Sequence, residues 1–124
     1  MNQQTPKVSV ITPAYNAADY VAEMIMSVQS QTFVDYEHII IDDGSTDDTL
    51  EIIKKFANKD SRIKLIKQKN NGAAAARNAG IDRASGVYIT FLDADDFLAK
   101  EMLRSLYEEA SAKDTDLICF SKYL

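Results

Sequence analysis

The stretch Tyr88-Ile89-Thr90-Phe91-Leu92-Asp93-Ala94-Asp95-Asp96 decides how the rest of the chain is interpreted. It begins with β-branched and aromatic residues, which are typical of a buried strand, and it ends with three carboxylates in four positions. Residues i and i+2 of an extended segment point to the same side, so we expect Asp93 and Asp95 to face one point. Carboxylates that close repel each other unless a cation lies between them, and a divalent cation with oxygen ligands fits. A solvated acidic loop that caps the next helix is the alternative.

The composition is that of one globular domain. The chain has 124 residues, of which 46% are hydrophobic and 27% are charged, and its net charge is −5 without any basic run. Nucleic acid is therefore not an expected partner. Residues 1–7 lack the apolar core of a signal peptide and are predicted to be an N-terminal tail. The single cysteine, Cys119, lies in an apolar run, so we expect a buried thiol and a reducing, cytoplasmic compartment.

Apolar periodicity predicts strands that alternate with helices. The predicted strands are residues 8–12, 37–42, 62–67, 87–92 and 116–120. The predicted helices are residues 19–31, a segment ending near 58, and residues 73–82 and 100–112. We expect the first strand to stop at Pro13, the third to be an edge strand, and the isoleucine run of the second to be buried on both faces. This alternation indicates βαβ units, that is, an α/β Rossmann-like fold with a parallel sheet.

Three polar clusters follow predicted strands. They are Thr12-Pro13-Ala14-Tyr15-Asn16, Asp42-Asp43-Gly44-Ser45 and Asp93-Ala94-Asp95-Asp96. The carboxyl ends of parallel strands share one edge of the sheet, and ligands bind there at the point where the strand order reverses. A phosphate could approach these aspartates only with a bridging cation, which predicts a nucleotide diphosphate bound with Mg²⁺ or Mn²⁺. Tyr15 offers a flat face for a base, and Arg77 is the candidate cation for the phosphates.

Four motifs in this order resemble the family 2 glycosyltransferases with the GT-A fold. They are Val8-Ser9-Val10-Ile11-Thr12-Pro13-Ala14-Tyr15-Asn16, Asp42-Asp43-Gly44-Ser45-Thr46-Asp47, Asn71-Gly72 with Ala76-Arg77-Asn78, and Phe91-Leu92-Asp93-Ala94-Asp95-Asp96. The resemblance runs from about residue 8 to the end. It implies a truncated GT-A domain in which residues 8–124 form the N-terminal portion that binds a nucleotide-diphospho-sugar.

The resemblance also implies roles for single positions. Four residues resemble the part that lines the nucleotide base: Thr12, Pro13, Ala14 and Tyr15. Asp43 is similar to the aspartate that hydrogen-bonds the base edge, usually of uracil, and Arg77 is similar to the arginine near the diphosphate. Asp93 and Asp95 match the D-x-D motif that contacts the ribose and the metal-diphosphate. Two acidic residues have structural alternatives, Asp42 as part of a turn and Asp96 as the N-cap of the next helix.

The implied reaction is transfer of a sugar from a nucleotide-diphospho-sugar, UDP-linked by expectation, to an acceptor hydroxyl with inversion. Mn²⁺ or Mg²⁺ would take up charge on the departing diphosphate. The glycan or lipid-linked acceptor suggests synthesis of surface polysaccharide, capsule or lipopolysaccharide. The family's base and acceptor elements lie beyond the donor half. We therefore expect no base here and no turnover by this chain alone. We also expect self-association through bare apolar surface, and contact with the membrane only through further segments.

Two other interpretations stay open at the level of sequence. A phosphorelay receiver domain has a similar size, an α/β fold and an acidic metal pocket, with Asp42-Asp43, Asp93 and Lys122 in the corresponding roles. Its aspartate pair should follow the first strand, however, and here the pair follows the second. A nucleotide-binding module without catalysis is the third interpretation. His38, the only histidine, lies in a predicted strand and is expected to be structural.

Overall fold

A computed structural model describes residues 5–113, in which four strands alternate with four helices. In chain order the elements are β1 (Val8–Ala14), α1 (Val21–Gln29), β2 (Tyr36–Asp43), α2 (Thr49–Lys59), β3 (Ile63–Gln68), α3 (Ala73–Arg83), β4 (Tyr88–Phe91) and α4 (Met102–Lys113). The predicted α/β class is confirmed. The predicted strand 116–120, Cys119 and Lys122 lie outside the described residues.

The sheet is parallel throughout, with the strand order β3-β2-β1-β4. β3 lies at an edge, as its alternating apolar and basic residues predicted. The chain runs outward from β1 to β3, and α3 then carries it across to β4 on the other side of β1. The strand order therefore reverses between β1 and β4, and a ligand is expected above the carboxyl ends of these two strands.

Helices cover both faces of the sheet. Val10 and Ile40 belong to the hydrophobic cluster that includes Met24 of α1. Ile39 and Ile41 pack with Ala76 of α3 in a second cluster. All eight residues of β2 are buried, as its isoleucine run predicted. Gly80 of α3 lies against the sheet, where an added Cβ would stand only 2.5 Å from the Cγ2 atom of Ile11. The small residues of α3 therefore let it approach the sheet closely.

Pro13 does not end β1, which continues through it to Ala14. The carbonyl groups of Lys7 and Ile11 accept hydrogen bonds from Tyr88 and Leu92, so the odd-numbered residues of β1 direct their backbone polar groups toward β4. Pro13 belongs to this set, but the pairing with β4 ends at Ile11. Its missing N–H therefore removes no hydrogen bond of the sheet, and the prediction that proline stops the strand was wrong.

Candidate functional site

A cleft of about 410 Å³ lies where the strand order reverses. Its lining residues are Pro13, Ala14, Tyr15, Asn16, Ala17, Tyr20, Asp43, Ala73, Arg77, Asp93, Ala94 and Asp95. The structure thus brings together every residue that was predicted to bind the nucleotide or the metal, with the exception of Thr12. These residues come from the ends of three strands and from the first turns of α3.

Thr12 lies in the core beneath the cleft and does not line it. Its side chain is fully buried, and its Oγ1 atom lies 2.9 Å from the Nε2 atom of His38. Thr12 points to the α1 face because alternate residues of a strand point to opposite faces. Pro13 then points the other way, and Ala14 and Tyr15 continue into the cleft wall.

His38 is a neutral core residue. It is 1% exposed, and burial lowers the pKa of its imidazole from 6.5 to about 3 against a weaker opposing effect of the Asp60 charge. Its Nδ1 atom has no hydrogen-bond partner among residues 5–113. A buried ring that stays neutral and does not line the cleft agrees with the structural role expected from the sequence.

Asp43 ends β2 and fixes the loop that leads into α3. Its Oδ1 atom accepts hydrogen bonds from the Gln68 side chain and the Asn71 N–H, both at 2.8 Å, and its Oδ2 atom accepts one from the Gly72 N–H at 3.0 Å. Burial raises the pKa of Asp43, but these three hydrogen bonds outweigh it and hold the pKa below its ordinary value. A carboxylate offers about four acceptor positions, and the fourth is taken by the Asn70 side-chain amide, which donates to Oδ2 at 3.5 Å. This is the longest of the four hydrogen bonds, so a ligand N–H can replace it.

Asp42 has a position different from that of Asp43. Its side chain is buried, and its Oδ2 atom accepts a hydrogen bond from the backbone N–H of Ser45 at 3.3 Å. Asp42 does not line the cleft. The carboxylate thus stabilises the turn after β2, which was one of the two roles open to it from the sequence.

The carboxylates after β4 converge through a turn. The N–H of Asp96 donates to the carbonyl of Asp93 at 3.0 Å, and carboxylate oxygens of Asp93, Asp95 and Asp96 lie within 4.8 Å of one another. The predicted extended conformation was therefore wrong, because the chain folds back directly after Leu92. The N-cap alternative for Asp96 was also wrong, since α4 begins only at Met102. Three clustered carboxylates suit a hard divalent cation such as Mg²⁺ or Mn²⁺.

Arg77 supplies positive charge beside this turn. Its Nη2 atom lies 3.5 Å from Oδ1 of Asp93, and both side chains are about half exposed. α3 crosses the sheet from β3 to β4 and so places Arg77 at the point where the strand order reverses. An anionic ligand in the cleft can therefore contact the guanidinium group and a cation held by the acidic turn together.

Several cleft residues were not nominated from the sequence. Tyr20, 53% exposed, stands just before α1, and Ala73 begins α3. Asn16 has a φ of +47°, which is uncommon for a residue other than glycine. An asparagine that directly follows an aromatic rim residue is a sequence signal for such a turn. Tyr20 had no comparable signal, because only the folded loop brings it to the cleft.

The fold and the cleft together define an α/β domain with an acidic cleft at the switch point of its sheet. The chain belongs to glycosyl transferase family 2, whose family model matches residues 9–124. Over 118 residues it is 44% identical to a cholesterol galactosyltransferase of Borreliella burgdorferi, covering 95% of this chain and 33% of that protein.

Solved structures show the same fold. A structure of S. aureus TarS 1–349 in complex with UDP-GlcNAc superposes with a TM-score of 0.83 at 34% identity, covering 89% of this chain and 32% of TarS 1–349. The mannosyltransferase PcManGT from Pyrobaculum calidifontis, in complex with GDP-Man and Mn²⁺, gives a TM-score of 0.74 at 27% identity, covering 81% and 31%. The chain spans about a third of the length of these relatives. The GT-A fold predicted from the motifs is confirmed.

Between residues 5 and 113, every helix is too short or too polar to cross a bilayer.

Proposed function

We propose that this chain binds the nucleotide-diphospho-sugar donor of a glycosyltransferase, and that the whole protein transfers the sugar to an acceptor hydroxyl with inversion. The observation that carries the proposal is the order of groups along the cleft. Because β2, β1 and β4 are neighbours in that order, Asp43, Tyr15 and the acidic turn after β4 follow one another across the rim. This order matches a ligand with a base at one end and a diphosphate at the other.

In this proposal the base lies against Tyr15, and a base N–H donates to Asp43 Oδ2 in place of the long hydrogen bond from the Asn70 side chain. Pro13 and Ala14 complete the wall, while Thr12 supports the wall from the core. Uracil is our choice of base. The UDP-GlcNAc complex of TarS supports uracil, whereas the GDP-Man complex of PcManGT shows that the fold also accepts guanine.

The diphosphate lies between Arg77 and the acidic turn. Asp93 and Asp95 hold a divalent cation, and Asp96 is close enough to take part. That cation, Mn²⁺ or Mg²⁺, supplies charge neutralisation for the departing diphosphate. The Mn²⁺ present with PcManGT supports this assignment. The guanidinium of Arg77 keeps Asp93 paired in the free protein and contacts phosphate oxygens in the complex.

The biological setting follows from the reaction. The acceptor is a glycan or lipid-linked hydroxyl, which fits synthesis of surface polysaccharide, capsule or lipopolysaccharide in the cytoplasm or at the inner face of the membrane. Self-association is also proposed, because Val87, Ile89 and Phe91 leave an exposed apolar strip at β4. Sedimentation at rising concentration measures it.

The receiver-domain alternative lacks support from both the fold and the relatives. The strand order of receiver domains is 2-1-3-4-5, whereas this sheet runs β3-β2-β1-β4. The aspartate pair 42–43 here ends the second strand. The family match and the relatives are glycosyltransferases.

The proposal is tested by calorimetry with UDP in the presence of Mn²⁺. We expect binding that a chelator removes and that Asp95→Ala weakens by at least tenfold, since both changes disrupt the metal site. Asp82→Ala is the matched control, because it removes one exposed carboxylate of α3 outside the cleft. Equal affinity with and without Mn²⁺ would contradict the metal-diphosphate assignment.

A further inference from the structure

The loop after β1 and the loop after β2 are joined by hydrogen bonds that donor binding as described above does not use. Three successive backbone N–H groups, of Asn16, Ala17 and Ala18, donate to side-chain oxygens of the second loop and of the first residue of α2. Their acceptors are Ser45 Oγ at 3.0 Å, Thr49 Oγ1 at 2.8 Å and Asp47 Oδ2 at 3.2 Å. A fourth bond runs the other way, from the Thr46 N–H to Asn16 Oδ1 at 2.8 Å. We call these four bonds the inter-loop clasp.

Asp47 and Thr49 connect the clasp to α2. The Oδ1 atom of Asp47 accepts from the N–H and the hydroxyl of Thr49, while its Oδ2 atom reaches across to Ala18. The hydroxyl of Thr49 in turn accepts from Ala17. One aspartate thus ties the first turn of a helix to the opposite loop, and the hydrogen bonds from Thr49 lower its pKa.

The clasp holds the wall of the cleft that carries Tyr15. Tyr15, Asn16 and Ala17 line the cleft, and the left-handed conformation of Asn16 turns the chain between the other two. Asparagine adopts this conformation more readily than most residues, and the Oδ1 atom of Asn16 accepts the Thr46 N–H of the clasp. Asp47 and Thr49 lie behind this wall and do not line the cleft. Their influence on a ligand therefore passes through the conformation of residues 15–17.

We propose that Asp47, Thr49 and Asn16 are positioning residues that fix Tyr15 for the nucleotide base. The proposal rests on the proposed function for the identity of the ligand. A loop that is ordered before binding saves the entropy of ordering it during binding. None of the four bonds of the clasp involves the acidic turn or Arg77, which instead forms an ion pair with Asp93. Loss of the clasp therefore weakens recognition of the base and spares recognition of the metal-diphosphate.

The test compares UDP with pyrophosphate, each measured with Mn²⁺ by calorimetry on the full chain. We expect Asp47→Ala to weaken UDP by about tenfold, the cost of losing preorganisation, and to leave pyrophosphate within about twofold. Asp48→Ala is the matched control. It removes the neighbouring carboxylate, which forms no capping hydrogen bond, and it should alter neither affinity. An unchanged UDP affinity in Asp47→Ala, or an equal loss for both ligands, overturns the proposal.

A second pair of variants separates the effect of the Thr49 hydroxyl from the effect of the side-chain volume. Thr49→Val keeps the volume but loses the acceptor for Ala17 and should weaken UDP, whereas Thr49→Ser keeps the hydroxyl and should restore binding. Loss of UDP binding in the serine variant as well contradicts a role for the hydroxyl.

Amide hydrogen exchange tests the clasp without any ligand. The N–H groups of Ala17 and Ala18 should be protected in the unmutated chain and in Asp48→Ala, and Ala18 should lose protection in Asp47→Ala. Rapid exchange at both residues in the unmutated chain overturns the clasp whatever the chain binds. Protected amides in a chain that binds no UDP would instead overturn the donor assignment and, with it, the role given to Tyr15.

Discussion

At the scale of single residues, Asp43 has two tasks that the sequence could not separate. It is a rim carboxylate that lines the cleft, and it is also the acceptor for the N–H groups of Asn71 and Gly72, which immediately precede α3. A residue with both tasks links ligand recognition to local stability. Its substitution should therefore change both quantities.

We expect Asp43→Ala to weaken uridine nucleotides by about 1–3 kcal/mol, since a base N–H loses its acceptor. The unfolding free energy should fall as well, because the Asn71 and Gly72 N–H groups lose theirs. Calorimetry and urea denaturation measure the two effects. ADP and UDP binding equally well to the unmutated chain would remove the basis for assigning a base-specific role to Asp43.

His38 makes stability depend on pH. Its folded-state pKa of about 3 lies below the ordinary 6.5, so between these values the unfolded chain binds a proton that the folded chain does not. Stability is therefore complete above about pH 6.5 and falls as the pH falls toward 3.

Between pH 7 and pH 5 we expect a loss of roughly 2 kcal/mol in the unfolding free energy from this single group. His38→Gln has no titrating ring and should show a much smaller loss over the same interval. Asp60, whose pKa is lowered to about 2, contributes only below its ordinary value of 3.8, outside this interval. Urea denaturation at the two pH values measures the difference, and equal losses in both proteins would assign the effect to other groups.

At the scale of elements, α3 controls the position of Arg77. The helix packs closely on the sheet because Gly80 has no side chain, and Arg77 lies three residues earlier on the same helix. The distance between α3 and the sheet thus sets the distance between the guanidinium and the acidic turn after β4. A change in the packing of this helix should therefore change the position of Arg77 in the cleft.

Gly80→Ala tests this packing. The new Cβ would lie 2.5 Å from Ile11 Cγ2 and 3.0 Å from Ile41 Cδ1, so we expect a loss of about 1–3 kcal/mol in stability from overpacking. Alanine has the higher helix propensity, and a stabilised variant would therefore show that the sheet yields easily. Asn78→Ala is the control, because it is exposed on the same helix and should leave stability equal or higher. Urea denaturation compares the two variants.

At the scale of the whole molecule, the described residues build a cleft that contains three carboxylates. Its carboxylates are Asp43, which accepts hydrogen bonds from backbone N–H groups, and Asp93 and Asp95, to which the proposed function assigns a divalent cation. Within residues 5–113, the one histidine is buried away from the cleft. Each of these groups thus already has a task other than removing a proton from an acceptor.

We therefore expect the 124-residue chain to bind UDP-GlcNAc with Mn²⁺ but not to transfer the sugar to simple acceptors. Holding nucleophile, base and leaving group together supplies about 7–11 kcal/mol of a typical enzymatic barrier reduction, and the donor cleft alone supplies only part of it. A coupled assay for released UDP measures turnover. Rapid transfer that Asp95→Ala abolishes would show that a base lies within this chain.

The sequence by itself determined the α/β class, the edge position of β3, the burial of β2 and the gathering of three polar clusters at one rim. The first three features follow from apolar periodicity, which is a local property of the chain. The fourth follows once the class is known, because parallel strands share one carboxyl edge. The family could be recognised for a similar reason, because its motifs are short segments at the ends of strands.

Only the tertiary structure decided the details that depend on neighbours. β1 continues through Pro13 because β4 is too short to need its N–H, and Thr12 turns toward His38 because the strand alternates between faces. The inter-loop clasp has the same origin. Its hydrogen bonds join residues about 30 positions apart, so only the folded chain brings each donor to its acceptor. No periodicity of one segment contains that information, since the partner of a loop N–H is fixed by packing of the elements on either side.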